Sequence, residues 1–412
     1  MNFLSKAVGV NRAWPCCRST SGMFRVSRIS QAFFSTSVAN PLEGIMVVSL
    51  EQAVAGPYIS SRLADAGARV IKIERDDGKG DFARGYDKFA DGLSSYFVWL
   101  NRGKESVELN LKVDQDIKIL KNMLSKADVF IQNFAPGATD RMGLGSQELR
   151  EQYPRLITVD ISGYGAQADE LQSRKAYDML IQAESGLSDI SGLHGEPSRV
   201  GVSICDICCG MYGHTAVLEA LASRDKYGNG TGIEVSLFSA IADWLTVPLS
   251  HFEHDGLGPS GLGLNHPSVH PYGVYTCKGS RILIAVQNER EFASFCHKVL
   301  ERPNLAGNDL FKDNVSRCSN RGALDAIISD TFSSQSAEEL VTKLADANVA
   351  FAQVNGMEEL SAHKALARVE VPTEKGIRSV IAPPVRFDGK HRKLGKVPSL
   401  GEHTAALKNE FG

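Results

Sequence analysis

The regular alternation of apolar strands with helical segments restricts the fold of this chain more than any other feature of its sequence. Buried strands are predicted at 44–50, 69–74, 106–111, 127–134 and 156–165. Helices are predicted between them at 56–68, 113–126 and 146–153. Strands that alternate with helices form a parallel sheet covered by helices on both faces. The predicted fold class is therefore α/β, with a large Rossmann-like domain.

The pattern changes after residue 165. A long helix is predicted at 207–223, and a Gly/Pro-rich loop covers 256–275 before a strand at 281–287. Long loops without regular structure are uncommon in compact domains. The change of pattern and the long loop indicate two domains. We predict a large domain over 41–225, a linker and smaller α/β domain over 226–349, and a return of 350–412 to the large domain.

The first forty residues differ in composition from the rest of the chain. They contain five basic residues and many serines, and the first acidic residue is Glu43. Scattered apolar residues between basic ones, without acidic residues, are typical of a mitochondrial transit peptide. We predict that 1–40 is a removable presequence and that the protein works in the mitochondrial matrix.

The overall composition excludes several classes of protein. The chain has 412 residues, 43% hydrophobic and 23% charged, which is usual for a globular protein. Its net charge is −3, and it is more acidic still after residue 40. Nucleic-acid binding is therefore not expected. No apolar run approaches the roughly 18 residues of a membrane-spanning helix, so no membrane association is predicted.

Several common cofactor motifs are missing. Glu74 stands where a ribose-binding acid would follow the second strand, but the first strand-to-helix turn reads "EQAVAGPY" instead of GxGxxG. The segment "ICDICCG" has no second cysteine pair to complete a zinc site, so its thiols are predicted to be buried and free. We predict no metal and no cofactor.

Two features point to a ligand site. Arg75, Lys112 and Asn133 lie at the ends of predicted strands. The carboxyl ends of parallel strands commonly bind ligands, here phosphates and a purine. The segment "RKAYDMLIQAESGL" places the carboxylate of Asp178 at the start of a helical pattern. Such a residue either accepts hydrogen bonds from its own helix or serves as a nucleophile. The local sequence leaves both roles open.

Six segments, taken together, resemble a known family. They are "GPYISSRLADAGARVIKIE", "NRGKESVELNLK", "DVFIQNFAPGATDRMGLG", "ISGYG", "AYDMLIQAESGL" and "LGEHT". They occur in the order seen in the family III CoA-transferases, the CaiB/BaiF family. The resemblance implies an interlocked homodimer that acts on small molecules, an acyl-CoA and a carboxylic acid. It also implies that Asp178 is the catalytic nucleophile and that no metal or redox cofactor takes part.

The family's CoA-binding positions can be transferred motif by motif. The resemblance implies CoA contacts from Val54, Ala55, Arg75, Leu109, Lys112, Asn133, Phe134 and Arg141. Apart from these transferred positions, backbone N–H groups near the glycines of "SGYG" or in the 256–265 loop are expected to stabilise the tetrahedral oxyanions of the reaction.

The loop "GLGPSGLGLNHPSVHPYG" bears on the acid substrate. It lacks the consecutive glycines of the formyl-CoA transferase branch, which argues against oxalate. It resembles the loop of members that use C4 and C5 dicarboxylates, so His266, His270 and Tyr272 are predicted to contact the distal carboxylate. The predicted reaction moves CoA from succinyl-CoA to itaconate, with citramalate, mesaconate or glutarate as alternative acceptors.

A different reaction class within the same superfamily is acyl-CoA racemisation. The racemases have His directly before the Asp, where this chain has Tyr177. Racemisation requires two titratable groups around one carbon, so this replacement argues against it.

Overall fold

The computed structural model describes residues 40–412 except Ala168, Ser173 and Leu257. The predicted presequence, up to residue 39, lies outside the described residues.

The bounds of the elements are as follows. The strands are β1 Met46–Leu50, β2 Arg69–Glu74, β3 Lys104–Glu108, β4 Val129–Gln132, β5 Ile157–Ser162, β6 Gly232–Ser236, β7 Tyr272–Cys277, β8 Ser280–Ala285, β9 Ala350–Gln353, β10 Arg368–Thr373 and β11 Gly376–Ile381. The helices are α1 Ala55–Asp65, α2 Ser95–Leu100, α3 Asp114–Leu124, α4 Ala138–Arg141, α5 Ser146–Gln152, α6 Asp178–Glu184, α7 Leu187–Ser191, α8 Ile204–Tyr227, α9 Leu237–Trp244, α10 Thr246–Asp255, α11 Glu289–Ser294, α12 Asn314–Ser319, α13 Arg321–Ser333, α14 Ala337–Asp346, α15 Met357–Ala362 and α16 Thr404–Phe411.

The large sheet has six strands in the order β3-β2-β1-β4-β5-β6. All of its neighbouring strands pair in parallel. This is the doubly wound order, in which the order of the strands across the sheet reverses between β1 and β4. The predicted α/β class is confirmed, and the reversal point marks where a ligand site is expected.

Helices cover both faces of this sheet. Val47 of β1 faces a core formed with α1, α8 and α9, whereas Val48 faces a core formed with α3, α5 and α16. Successive side chains of a strand point to opposite faces, so a strand buried on both sides consists almost entirely of apolar residues. Helix α8 is followed by Gly228, whose φ of 93° is a left-handed conformation that favours glycine.

A separate core belongs to a smaller unit, called the small unit below, which contains β7, β8, β9, α13 and α14. Strands β7, β8 and β9 form an antiparallel sheet that packs with α13 and α14. Strand β6, after the predicted boundary at 225, pairs in the large sheet, and β9, after the predicted boundary at 349, pairs in the small one. The chain therefore leaves the large sheet only after β6 and the small sheet only after β9, in both cases later than the predicted domain boundary.

The chain end lies on the large sheet. Leu407 and Phe411 of α16 are buried with α3, and the Phe411 carbonyl accepts a hydrogen bond from Asn122 at 2.8 Å. A separate hairpin, β10-β11, packs its Val371 against α2. In the described part of the chain, no helix combines the length and apolarity needed to cross a membrane.

Candidate active site

A cleft of about 1480 Å³ opens at the carboxyl ends of β1, β4, β5 and β6. It is lined by the loops that follow these strands and by the amino ends of α6 and α8. The cleft therefore lies beside the reversal point of the sheet, where parallel α/β proteins bind ligands. The segment 163–165, from "SGYG", lines the cleft, whereas none of the described residues of the 256–265 loop does.

Asp178 lies in this cleft and is 9% exposed. Its Oδ1 accepts hydrogen bonds from the backbone N–H of Cys205 at 2.7 Å and of Asp206 at 3.3 Å. Its Oδ2 accepts a hydrogen bond from Nε2 of Gln182 at 2.7 Å. These three hydrogen bonds hold the carboxyl group of Asp178 in one orientation.

The interpretation of Asp178 as the cap of its own helix is wrong. Tyr177 occupies the N-cap position of α6 and makes no side-chain capping bond, and Asp178 is the first helical residue. Its carboxylate instead accepts the free N–H groups at the start of α8. The partial positive charge at that helix end also favours an anion. A helix terminus does stabilise the carboxylate of Asp178, but it is the start of α8, where Cys205 lies 27 residues after Asp178 in the chain.

Gln182 fixes the other carboxylate oxygen. It lies one helical turn after Asp178 and is fully buried. Its Oε1 accepts the backbone N–H of Val200 at 2.8 Å, and its Nε2 also donates to the carbonyl of Val202 at 3.2 Å. Because both ends of the amide are bonded, the orientation of its donor toward Asp178 is determined.

A second carboxyl group, on Asp206, lies close to Asp178 and lines the same cleft. Burial, and then the negative charge of Asp178, raise the pKa of Asp206 to about 7. A carboxyl group with such a pKa can both donate and accept a proton at neutral pH.

Four of the predicted CoA-binding residues line the cleft. They are Val54, Ala55, Asn133 and Phe134. The amide of Asn133 exchanges hydrogen bonds of 2.8 and 2.9 Å with the backbone of Gln52, which joins the loops after β4 and β1. The sequence therefore located the two loops that border the reversal point.

The other four predicted CoA-binding residues do not line the cleft in this structure. Arg75 is half-exposed and donates to the carbonyl of Gly80 at 3.0 and 3.2 Å. Leu109 is buried in the core, and Lys112 is exposed. Arg141 is exposed, but its Nη1 is 3.1 Å from the place that a Cβ on Gly137, a cleft residue, would occupy. Arg141 thus lies at the rim.

The three predicted acid-binding residues lie outside the cleft. His270 is 1% exposed, and its backbone carbonyl accepts a 2.8 Å bond from Arg317, a buried residue of the small unit. Burial lowers the pKa of His270 to about 4. His266 and Tyr272 stack on each other with ring centroids 5.1 Å apart. Within the single chain His270 is therefore buried against the small unit, and its contact with the distal carboxylate stays a prediction.

Sequence reasoning missed several residues of the cleft. Basic side chains enter it from Arg150, Arg174, Lys175 and Arg199, and aromatic ones from Phe82, Tyr86 and Tyr96. A local cluster of basic groups is what an acidic protein needs in order to bind an anion. The four-residue spacing from Asp178 was a signal for Gln182. Nothing local signalled Asp206, since its proximity depends on the packing of α6 against α8.

Buried ion pairs anchor the loop after β1. Lys72 lies 2.9 Å from Asp81, whose Oδ1 accepts the backbone N–H of Ala53 at 3.2 Å. Glu74, considered as a ribose-binding acid, instead pairs with Arg84 at 2.6 Å. Burial would raise the pKa of Glu74, but the Arg84 hydrogen bonds and the nearby cations lower it to about 2. These acids position the cleft wall.

Cys205, Cys208 and Cys209 are buried and free, as predicted. Burial raises the pKa of the Cys208 thiol to about 12, and this thiol donates to the carbonyl of Ala240 at 3.2 Å. Among the described residues no group of three or more His, Cys, Asp or Glu side chains is arranged to hold a metal ion.

Comparisons with known proteins identify the family. The profile of CoA-transferase family III matches residues 42–404. An acetyl-CoA:oxalate CoA-transferase of Acetobacter aceti is 34% identical over 90% of this chain and 96% of its own length. The human succinyl-CoA:glutarate CoA-transferase is 33% identical over 90% of this chain and 86% of its own length.

A solved structure agrees with these matches. A CAIB/BAIF family protein from Brucella suis superimposes with a TM-score of 0.77 at 29% identity, covering 90% of this chain and 99% of its own. The chain therefore belongs to CoA-transferase family III.

Proposed function

We propose that this family III CoA-transferase moves CoA from succinyl-CoA to a dicarboxylic acid, with itaconate as the acceptor. The observation that carries the proposal is the carboxylate of Asp178, which is fixed by three hydrogen bonds in a cleft with basic side chains. The human relative is named for succinyl-CoA and a dicarboxylic acid. The choice of itaconate rests on the resemblance of the 256–275 loop.

The reaction divides into two symmetrical halves. An oxygen of Asp178 attacks the thioester carbonyl of succinyl-CoA, the C–S bond breaks, and CoA departs through its sulfur. The product is a mixed anhydride between Asp178 and succinate. The thiolate then attacks Cγ of Asp178, which releases succinate and leaves an aspartyl-CoA thioester. The acceptor acid reverses these steps and leaves as its CoA thioester.

The amides at the start of α8 suit the second attack. When the thiolate adds to Cγ, one carboxylate oxygen of Asp178 becomes an oxyanion. The N–H groups of Cys205 and Asp206 already contact Oδ1 at 2.7 and 3.3 Å. Preorganised donors directed at a developing charge are a large source of rate enhancement. Oδ2 is then the oxygen that carries the acyl group, on the side of Gln182.

A panel of acids tests the substrate. Succinyl-CoA is offered with itaconate, citramalate, mesaconate, glutarate or oxalate, and each CoA product is quantified by mass spectrometry. Oxalate belongs in the panel because one relative is named for it, although the loop argues against it. The highest kcat/KM is expected with itaconate. A tenfold preference for another acid would contradict the choice of itaconate, and racemisation of a 2-methylacyl-CoA without CoA transfer would contradict the reaction class.

We also propose that the enzyme is an interlocked homodimer. Large apolar side chains on consecutive helices are exposed in the single chain: Trp244, Val247, Leu249 and Phe252. Apolar patches of this kind usually mark protein–protein contacts.

The mitochondrial matrix is proposed as the location, on the composition of residues 1–40. Import into isolated mitochondria should shorten the chain near residue 40, and deletion of 2–40 should abolish import. An uncleaved chain that remains outside the organelle would contradict the proposal.

A further inference from the structure

A second acidic residue, Asp206, lies beside the nucleophile in the cleft. Asp206 is the third residue of α8, and its backbone N–H donates to Oδ1 of Asp178 at 3.3 Å. Both residues line the same cleft. An acyl group or a CoA sulfur at Asp178 therefore lies close to Asp206.

The two carboxyl groups differ in their hydrogen bonds. The Asp178 carboxylate accepts three, two from the start of α8 and one from Gln182. In the described ranges, the Asp206 carboxyl group accepts no hydrogen bond and forms no ion pair, while buried Glu74 has Arg84 as its partner. Two adjacent carboxyl groups in a partly buried site do not both ionise readily. The single negative charge of the pair therefore resides on Asp178, and the proton on Asp206.

The charges on neighbouring elements do not reverse this assignment. From α1, Tyr58 contacts Gly210 one turn further along α8, and the charge of Arg62 acts on His214 two turns further along. From α9, Asp243 acts on Cys208 and adds negative charge. From the segment after β2, Tyr86 lies within range of the charge of Asp206 and lines the same cleft. Burial and the charge of Asp178 together raise the pKa of Asp206 to about 7.

We propose that Asp206 is the acid–base residue of this site, which gives its proton to the CoA sulfur when Asp178 is acylated and takes it back when the sulfur attacks. This inference rests on the proposed transfer reaction. In the first step the Asp178–acyl bond forms, the C–S bond breaks, and the proton of Asp206 passes to the departing sulfur. In the next step Asp206 removes that proton, and the sulfur attacks Cγ of Asp178.

The exchange keeps the charge of the pair constant. Before acylation Asp178 is charged and Asp206 is neutral, whereas in the anhydride Asp178 is neutral and Asp206 is charged. A partly buried site tolerates one charge far better than two or a change in their number. The CoA sulfur is also retained as a neutral thiol beside the anhydride, so it does not leave a second anion there.

The test compares Asp206→Asn with Asp225→Asn, an exposed acid on the same helix that undergoes the same chemical change. Asp206→Asn keeps the backbone N–H to Asp178 but cannot transfer a proton. Its kcat is expected to fall about 10²- to 10⁴-fold, with an unchanged Kd for CoA. The wild-type kcat should decline above pH of about 7, and this decline should be absent in Asp206→Asn. Asp206→Glu should recover part of kcat, and Asp225→Asn should match the wild type throughout.

Infrared spectroscopy of the free enzyme supplies an independent reading. A protonated-carboxyl C=O band should disappear from the wild type between pH 6 and pH 8 and be missing from Asp206→Asn at both. A wild-type spectrum without that band, or an Asp206→Asn enzyme with wild-type kcat or an intact alkaline decline, would overturn the inference. If Asp206→Asn does not fold, the same band in Asp206→Glu and wild type decides. Failure of the transfer reaction would show separately, as wild-type enzyme that never acylates Asp178.

Discussion

Replacement of Gln182 by methionine tests how far the orientation of Asp178 determines the rate. Methionine has a similar volume and no amide, so the change removes the 2.7 Å bond to Oδ2 without creating a large cavity. A hydrogen bond to a charged group contributes roughly 1.5–3 kcal/mol. Since about 1.4 kcal/mol corresponds to a factor of ten in rate, kcat should fall roughly 10- to 100-fold.

The same change has a predicted cost in stability. It leaves the backbone N–H of Val200, bonded at 2.8 Å in the wild type, without its acceptor. An unpaired, partly buried donor costs about 1–3 kcal/mol. Urea unfolding should therefore show a loss of that size. The Kd for CoA should not change, because Gln182 does not line the cleft and its side-chain amide bonds to Asp178 and the 200–202 segment.

The assay measures initial rates of CoA transfer at saturating substrates, with Gln353→Met as the control. Gln353 is exposed on β9, outside the cleft, and undergoes the same chemical change. A folded Gln182→Met enzyme whose kcat stays within twofold of the wild type would refute the view that this bond holds the nucleophile in position.

Three further predictions concern stability, CoA binding and assembly. Glu74→Gln should lower the free energy of unfolding at pH 7 by about 3 kcal/mol, since the pKa of Glu74 is lowered from 4.5 to about 2. Because the folded-state pKa of Glu74 is below the unfolded one, this stabilisation is complete above pH 4.5 and is lost as pH falls toward 2. The measurement is urea unfolding at several pH values, with Glu105→Gln as the control. Glu105 forms a more exposed pair with Arg69, so its replacement should change the free energy of unfolding by under about 1 kcal/mol, and an equal effect of the two variants would contradict the prediction. Arg75→Ala should raise the KM for acyl-CoA and leave kcat unchanged; the reverse result in steady-state kinetics would remove Arg75 from the CoA site. The protein should sediment as a dimer at nanomolar concentration, and a folded monomer at any concentration would rule out the interlocked form.

The parallel sheet could be predicted because its strands are short apolar runs separated by helical periodicity. The predicted bounds of β2, 69–74, match the structure, although Lys72 lies in its middle. This lysine is buried because Asp81 and Glu51 pair with it. The apolar residues around Lys72 identified the strand, whereas its ion pairs are formed with Glu51 and Asp81, which lie outside the strand.

The site was less predictable because its contacts join distant segments. Asp178 was identified by resemblance, and its local interpretation as a cap failed because its amide donors, on Cys205 and Asp206, come from another helix. His270 was placed at the substrate by its loop, but the buried Arg317 binds the backbone of that loop to the small unit. Local sequence contains neither interaction.

Covalent modification of Asp178 during turnover tests the central claim most directly. Hydroxylamine is added to the enzyme with succinyl-CoA, and the peptide that contains Asp178 is analysed by mass spectrometry. We expect conversion of Asp178 to the hydroxamate, which depends on succinyl-CoA and is absent in Asp178→Asn. An unmodified peptide under conditions in which CoA is being transferred would contradict the account.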